Sequence, residues 1–478
     1  MEIITIKFFL LTICAMFIYY LLSERYRIAF LALLSCGFIA SFSFVLLTYV
    51  LIYTFVNYII GKKLKQVKNI KFLFRVGIIF NLLQLILLKY ASFAIDPFFS
   101  LFKSEFELSS TLYKVIIPIG ISYFTLQGIG YLINVKMGWE KCEKNFVDFL
   151  LYITFFPKFL SGPIERSNHF LKLIKESKAF EDSNITTGLR IALIGCFKKV
   201  AIANQLAPFI TDAYSNVSGT DGSQLLIVLL LQPLYLYFDF SGYTDIAIGV
   251  AKLFGIDLLP NFNRPFFSLN MTNFWKRFHI SLSSWFNDYI FKQTLFRRRK
   301  WGEYAPVYAL LVTWVLFGIW HGAGWSFMVL GFIQAIAIIY EYYTRMWRAR
   351  LFKKYPTYVR TWTGRVSTYL FYSVSLVFFY SSDLNTAFTY FSGLSEWHGF
   401  TMHSNHLAVL LMSLSFITIF MTIEFLQNDY PKTIEKIAVL MLDKKKKSQV
   451  IRWGFYFFLV SVIIVLNNEV QDFIYFQF

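Results

Sequence analysis

Charge is scarce in this chain. Only 15% of its 478 residues are Asp, Glu, Lys or Arg, too few to clothe a soluble domain of that length, so a water-soluble fold is excluded. Acid is scarcer than base: 28 Asp and Glu stand against 46 Lys and Arg, for a net charge of +18. The four cysteines, Cys14, Cys36, Cys142 and Cys196, are scattered and form no C-x-x-C pair. That excludes a disulfide framework and a cysteine metal site, and leaves small apolar packing residues. No G-x-S-x-G elbow, P-loop or H-E-x-x-H occurs, so serine-hydrolase, ATPase and zinc-protease mechanisms have no support within this chain. Internal repeats of the transporter kind and low-complexity linkers are missing too, and a single membrane-embedded domain over 1–478 is expected.

What is present is apolar. Hydrophobic residues make up 57% of the chain and aromatics 20%, the composition of an all-α polytopic membrane protein. Candidate spans cover about 3–22, 28–41, 43–60, 72–95, 110–133, 186–206, 224–251, 305–320, 325–343, 366–382, 405–427 and 452–468. The first is expected to be a retained anchor, since no small-residue cleavage site follows it. The stretch 147–163, with Pro157, Gly162 and Pro163, reads as re-entrant or buried, because irregular backbone at membrane depth must be enclosed by protein or line a water cavity.

The positive charge is localised. Lys62, Lys63, Lys65, Lys68 and Lys71 fill one connection, Arg345 to Arg365 another, and Lys444 to Lys447 a third. The connections 205–224 and 383–404 and the end 469–478 hold no Lys or Arg. This alternation is the positive-inside pattern. It places the basic connections in the cytoplasm and both termini outside, and it argues against nucleic acid as the partner of the basic residues.

Ionisable residues inside apolar runs are expensive and are therefore candidates for function. His321 stands in Gly318-Ile-Trp-His-Gly-Ala-Gly-Trp, close to the apex of a hairpin expected between 305–320 and 325–343. Gly322 and Gly324 are expected to permit tight turning and close backbone approach. A buried neutral imidazole suits a general base near pH 7; a core histidine bonded to a carbonyl is the plainer alternative. Asp239 and Asp245 interrupt another apolar span, either to orient a histidine or line a substrate path, or to fix helix packing through hydrogen bonds.

Between them, Met271 to Phe291 reads as one amphipathic interfacial helix, with Phe274, Phe278, Leu282, Trp285 and Tyr289 on its apolar face. In a continuous helix His279 shares a face with Trp275 and Ser283. Arg297, Arg298, Arg299 and Lys300 mark its end as cytoplasmic. His398, His403 and His406 match no standard zinc spacing, so no metal site is expected and a solvated polar loop is the plainer account.

Taken in order, Tyr237-Phe-Asp-Phe-Ser-Gly-Tyr-Thr-Asp, Asn261-Phe-Asn-Arg-Pro, Phe274-Trp-Lys-Arg-Phe-His-Ile-Ser-Leu-Ser and Trp320-His-Gly-Ala-Gly-Trp resemble the membrane-bound O-acyltransferase family. The likeness is greatest to its alginate and peptidoglycan O-acetyltransferase branch. Pro118-Ile-Gly-Ile-Ser-Tyr-Phe-Thr-Leu-Gln and Phe155-Phe-Pro-Lys-Phe-Leu-Ser-Gly-Pro-Ile-Glu-Arg look like that branch as well. The core motifs fall in about 110–345, with extra spans over about 366–468.

The resemblance implies a helical bundle with re-entrant and interfacial helices around a tunnel, in the bacterial inner membrane. It implies acyl transfer from a cytoplasmic thioester, acetyl-coenzyme A or another acyl carrier, to a hydroxyl of an envelope polysaccharide. No bound cofactor is implied. An extracytoplasmic esterase-like partner would complete the transfer. The family's two histidines fall on His279 and His321, with Asp239, Asp245, Trp275, Ser283 and Trp320 in supporting places and Arg297, Arg298 and Arg299 toward the donor. Two departures stand out: Phe278 precedes the first histidine where relatives often have Trp, and Thr294-Leu-Phe-Arg-Arg-Arg replaces a common Gly-Gly-Asn turn. The alternatives are D-alanyl transfer to teichoic acid, a non-catalytic transporter or flippase, and a structural docking subunit.

Overall fold

A computed structural model describes residues 5–90, 120–160, 162–397, 399, 404–442 and 446–467. The chain is an all-α polytopic membrane protein. Each apolar run has a helical counterpart among the described residues, although 91–95 and 110–119 lie outside them. In chain order the helices are α1 (Ile6–Leu21), α2 (Glu24–Ala40), α3 (Phe44–Lys63), α4 (Ile70–Lys89), α5 (Ile121–Met137), α6 (Phe146–Thr154), α7 (Ser167–Lys175) and α8 (Asp182–Phe197). A π-helical stretch, Lys198–Ala203, leads into α9 (Asn204–Ser215) and then α10 (Gly222–Leu253). The short helices α11 (Met271–Trp275), α12 (Ile280–Phe286) and α13 (Lys292–Arg297) follow. Next come α14 (Tyr304–His321), α15 (Trp325–Phe352), α16 (Thr357–Tyr380), α17 (Leu384–Gly393), α18 (Ser404–Asp429), α19 (Pro431–Leu442) and α20 (Lys446–Leu466).

Among the described residues seven helices, α3, α4, α10, α14, α15, α18 and α20, are long and apolar enough to cross a bilayer. Their outer faces carry bare apolar side chains such as Phe44, Ile79 and Ile464, as a lipid-facing surface requires. By contrast, α5 is buried almost all round, the pattern of a helix enclosed by protein.

Two compact units are distinguished, Met1–Ala192 with Thr244–Pro260, and Leu193–Tyr243 with Asn261–Phe478. The first contains the segment expected to be re-entrant. Here α6 ends at Thr154, and the irregular run from Phe155 to Leu160 is buried throughout. Lys158 Nζ donates to Gln127 Oε1 at 2.5 Å and to the Tyr152 carbonyl at 2.6 Å, so the buried amine finds its hydrogen-bond partners within the protein. Glu165, also buried, accepts from the Leu259 amide at 2.7 Å and contacts His169 Nδ1 at 2.9 Å.

In the second unit α14 and α15 form the expected hairpin. A β-carbon on Gly318 would meet the Phe327 carbonyl at 2.1 Å, and one on Gly331 would meet the Trp314 carbonyl at 2.2 Å, so small residues let the two backbones touch. The expected turning role of Gly322 and Gly324 does not hold. Both have extended backbone, with φ of −165° and −178°, which any residue adopts. Gly322 is needed for space instead, because the Phe327 ring lies 2.1 Å from where its β-carbon would be. Nor is Met271 to Phe291 one continuous helix. It is α11, a break at Lys276–His279, α12 and a π-helical stretch at Asn287–Phe291. The connection expected after 343 is itself helical to Phe352, which carries Arg345, Arg348 and Arg350 on α15.

Candidate active site

The break in the interfacial segment falls on a histidine. His279 has φ 46° and ψ 52°, a left-handed conformation costing about 1–2 kcal/mol for a residue with a β-carbon. The surrounding backbone holds it there. The Ile280 amide donates to the Asn261 carbonyl at 2.9 Å, the Ser281 amide to Asn261 Oδ1 at 3.1 Å, and the Asn263 amide to the Arg277 carbonyl at 2.9 Å. The Asn261-Phe-Asn-Arg-Pro run therefore serves as a backbone clamp for the histidine. Strain so enforced is typical of functional positions.

His279 is buried and packs edge-on against Phe240, with ring centroids 4.6 Å apart. It lies outside the membrane-spanning helices. Burial, and beside it His321, hold its imidazole well below the usual histidine range, so it is neutral at pH 7. His321 ends α14. Its Nδ1 lies 2.8 Å from the Phe317 carbonyl; a carbonyl only accepts, so Nδ1 carries the proton and the lone pair is on Nε2. Trp320 stands against both rings, 5.0 Å from His321 and 6.1 Å from His279. The two histidines line one small void of about 20 Å³, room for about one water molecule.

Beside the void lies a much larger chamber of about 780 Å³. Its rim holds the exposed Lys276 and Arg345 with Arg348, and its floor is the buried pair Trp275 and Phe317. Trp275 and Phe317 line the void as well, so they are the wall between the two spaces. The Trp275 indole N–H donates to Gln334 Oε1 at 3.1 Å, and Gln334 Nε2 donates to Ser375 Oγ at 2.9 Å. Glu341 on the same rim accepts from the Met271 and Thr272 amides at 2.6 and 2.9 Å, fastening the start of α11 to α15.

The other expected residues are placed as follows. Ser283 lines the chamber, and its hydroxyl donates to the carbonyls of Phe278 and His279 at 3.1 and 3.0 Å. Because the helix breaks at His279, Trp275, His279 and Ser283 do not form one helical stripe. Asp239 is fully buried and ion-paired with Lys199 at 2.5 Å, which suits the packing reading. Asp245 is half-buried and belongs to the first unit. Arg297, Arg298 and Arg299 are exposed and do not line the chamber; Arg298 lies over the Trp301 ring at 4.6 Å and Arg299 over Phe296 at 4.5 Å. His398 and His403, and the side chain of His406, lie outside the described residues.

Sequence reasoning overlooked Lys199 and Gln334, and it placed Arg345, Arg348 and Arg350 in a basic connection where the structure has them on α15. Lys199 carried a usable signal, as a cation inside the apolar run 186–206.

The model of the membrane-bound O-acyltransferase family matches residues 143–383, a stretch that contains both histidines and the hairpin. The chain belongs to the membrane-bound O-acyltransferase family. Among the chain's relatives, the peptidoglycan O-acetyltransferase of Helicobacter pylori is 32% identical over an alignment 357 positions long, which covers 68% of this chain and 65% of that protein. The chain thus spans just under two thirds of that relative's length. The protein named "Probable alginate O-acetylase AlgI" of Azotobacter vinelandii is 30% identical over 80% of this chain and 76% of its own length. The teichoic acid D-alanyltransferase of Bacillus subtilis is 29% identical over 60% of this chain and 72% of its own.

Proposed function

We propose that this protein transfers an acyl group, acetyl in the first instance, from a cytoplasmic thioester donor to a hydroxyl of an extracytoplasmic envelope polysaccharide. The observation that carries the reading is the meeting of His279 and His321, from separate elements, over one small void beneath an open basic-rimmed chamber. The donor's anionic carrier would rest at Lys276, Arg345 and Arg348, with its thioester toward the floor. His321 has the tautomer a base needs: Nδ1 donates to the Phe317 carbonyl, which leaves the basic lone pair on Nε2 to accept the hydroxyl proton. His279, with the neighbouring ring of Trp320, would orient the reacting carbonyl. Names of relatives in peptidoglycan and alginate acetylation support an acetyl group and a polysaccharide acceptor. An esterase-like extracytoplasmic partner would complete delivery where the polymer cannot reach the void. D-alanyl transfer is the rival within the family, supported by the Bacillus relative.

The test is His321→Ala at matched amounts of folded protein. Positioned acid–base groups contribute about 100- to 10,000-fold, so polymer acylation should fall by at least about 100-fold while membrane insertion persists. Near-normal acylation by a well-folded variant would remove His321 from the chemistry and restore a structural role.

A further inference from the structure

The wall between chamber and void is made of rings. Trp275 lies 5.0 Å from Phe317 and 4.8 Å from Trp314, and Trp314 lies 4.8 Å from Phe317, centroid to centroid. Each of the three rings is thus in contact with the other two, so none can turn without displacing a neighbour. Trp275 cannot swing freely either, because its N–H is held by Gln334, which Ser375 holds in turn. Gln334 is 1% exposed and lines the void itself. The wall is therefore set from α15 and α16 and not only from its own short helix.

Beyond the wall the free space beside the two imidazoles is about 20 Å³, against about 780 Å³ before it. A large carrier fits the chamber, whereas only a very small group fits past the rings. A two-carbon acyl group needs a small displacement of the void's lining. Each further methylene must be driven into packed aromatic rings, and tight pockets discriminate by roughly 10- to 200-fold for a methylene.

We propose that Trp275 and Phe317, latched by Gln334, are the acyl-length filter of this site, admitting a two-carbon acyl group to the histidines and turning longer acyl groups back. The proposal rests on the transferase reading above. In the filtered step the thioester C–S bond breaks, a C–O bond forms to the acceptor oxygen, and the hydroxyl proton ends on the released thiol. The filter acts only on the group bonded to sulfur.

The experiment uses the full chain in membrane vesicles with the envelope polysaccharide fraction as acceptor. Acetyl-coenzyme A and butyryl-coenzyme A, differently labelled, compete in one reaction. The readout is the ratio of the two labels in polymer ester, which does not change with the amount of folded enzyme. The wild type should favour acetyl by at least about tenfold, and Trp275→Ala and Phe317→Leu should each lower that ratio by about tenfold or more. Gln334→Leu, which leaves both rings in place but frees the indole, should lower it in the same direction and guards against a Trp275 variant that does not fold. An unchanged ratio in variants that still transfer acetyl would overturn the filter while leaving the transferase reading intact. Failure of the wild type to transfer either label would instead overturn the transferase reading, and the filter with it.

Discussion

Lys199 and Asp239 face each other at 2.5 Å with side chains 1% and 0% exposed. At this depth neither charge can be left alone. Removing one partner from a buried pair costs about 3–5 kcal/mol, whereas replacing both with apolar groups of similar size is often neutral. Lys199→Met should therefore lower the thermal unfolding temperature in detergent sharply. The double variant Lys199→Met/Asp239→Leu should recover most of the loss. A double variant no better than the single would mean that the pair does more than neutralise itself. The neighbouring residue explains why its stability bears on the site, since Phe240 follows Asp239 on α10 and its ring meets His279.

At the scale of elements, the chamber rim is built by α15 and the break after α11, because α15 runs helical to Phe352 and carries Arg345 and Arg348 to the same opening as Lys276. Neutralising Arg345 and Arg348 together should raise the apparent Michaelis constant for a thioester donor several-fold with a smaller change in turnover. The same treatment of Arg297, Arg298 and Arg299 should act more weakly, since they do not line the chamber and reach it only through solvent, where charges are screened beyond roughly 8–10 Å at physiological salt. A larger effect from the second set would move the donor away from the chamber.

Much of this level was legible beforehand. Long apolar runs such as 43–60 and 224–251 become helices because their backbone has no other partner in hydrocarbon, and the hairpin around His321 follows from two such runs joined by a very short connection. The break at His279 was not legible. The spacing of Phe274, Phe278, Leu282, Trp285 and Tyr289 is helical, and the left-handed turn is imposed by Asn261 and Asn263, which are distant in sequence. The extension of α15 was hidden for a different reason, because apolarity ends before the helix does. Trp275 was flagged by its motif, but its hold by Gln334 is a long-range contact without local pattern.

For the whole molecule, alternation of basic and non-basic connections predicts one orientation, with Lys62–Lys71 and the start of α16 toward the cytoplasm. On that orientation the chamber opens to the cytoplasm. A cysteine placed at Ser284, which lines the chamber, should then react with a membrane-impermeant thiol reagent only in inside-out vesicles, tested in a background lacking the four native cysteines. Labelling from the periplasmic face of intact cells would reverse the orientation and the donor side with it.

The contact between Gly318 and Gly331 also bears on the order in which the protein is made. α14 and α15 are joined only by Gly322–Gly324, so closing their hairpin costs little chain entropy. It can form while the ribosome is still extending the chain, with His321 already fixed at its end and His279 already synthesised. Tyr372 and Phe379 of α16, which complete the lining of the void, emerge later. Both histidines are thus made before the helix that completes the lining of their void, so the hairpin that carries His321 does not wait on α16 to close.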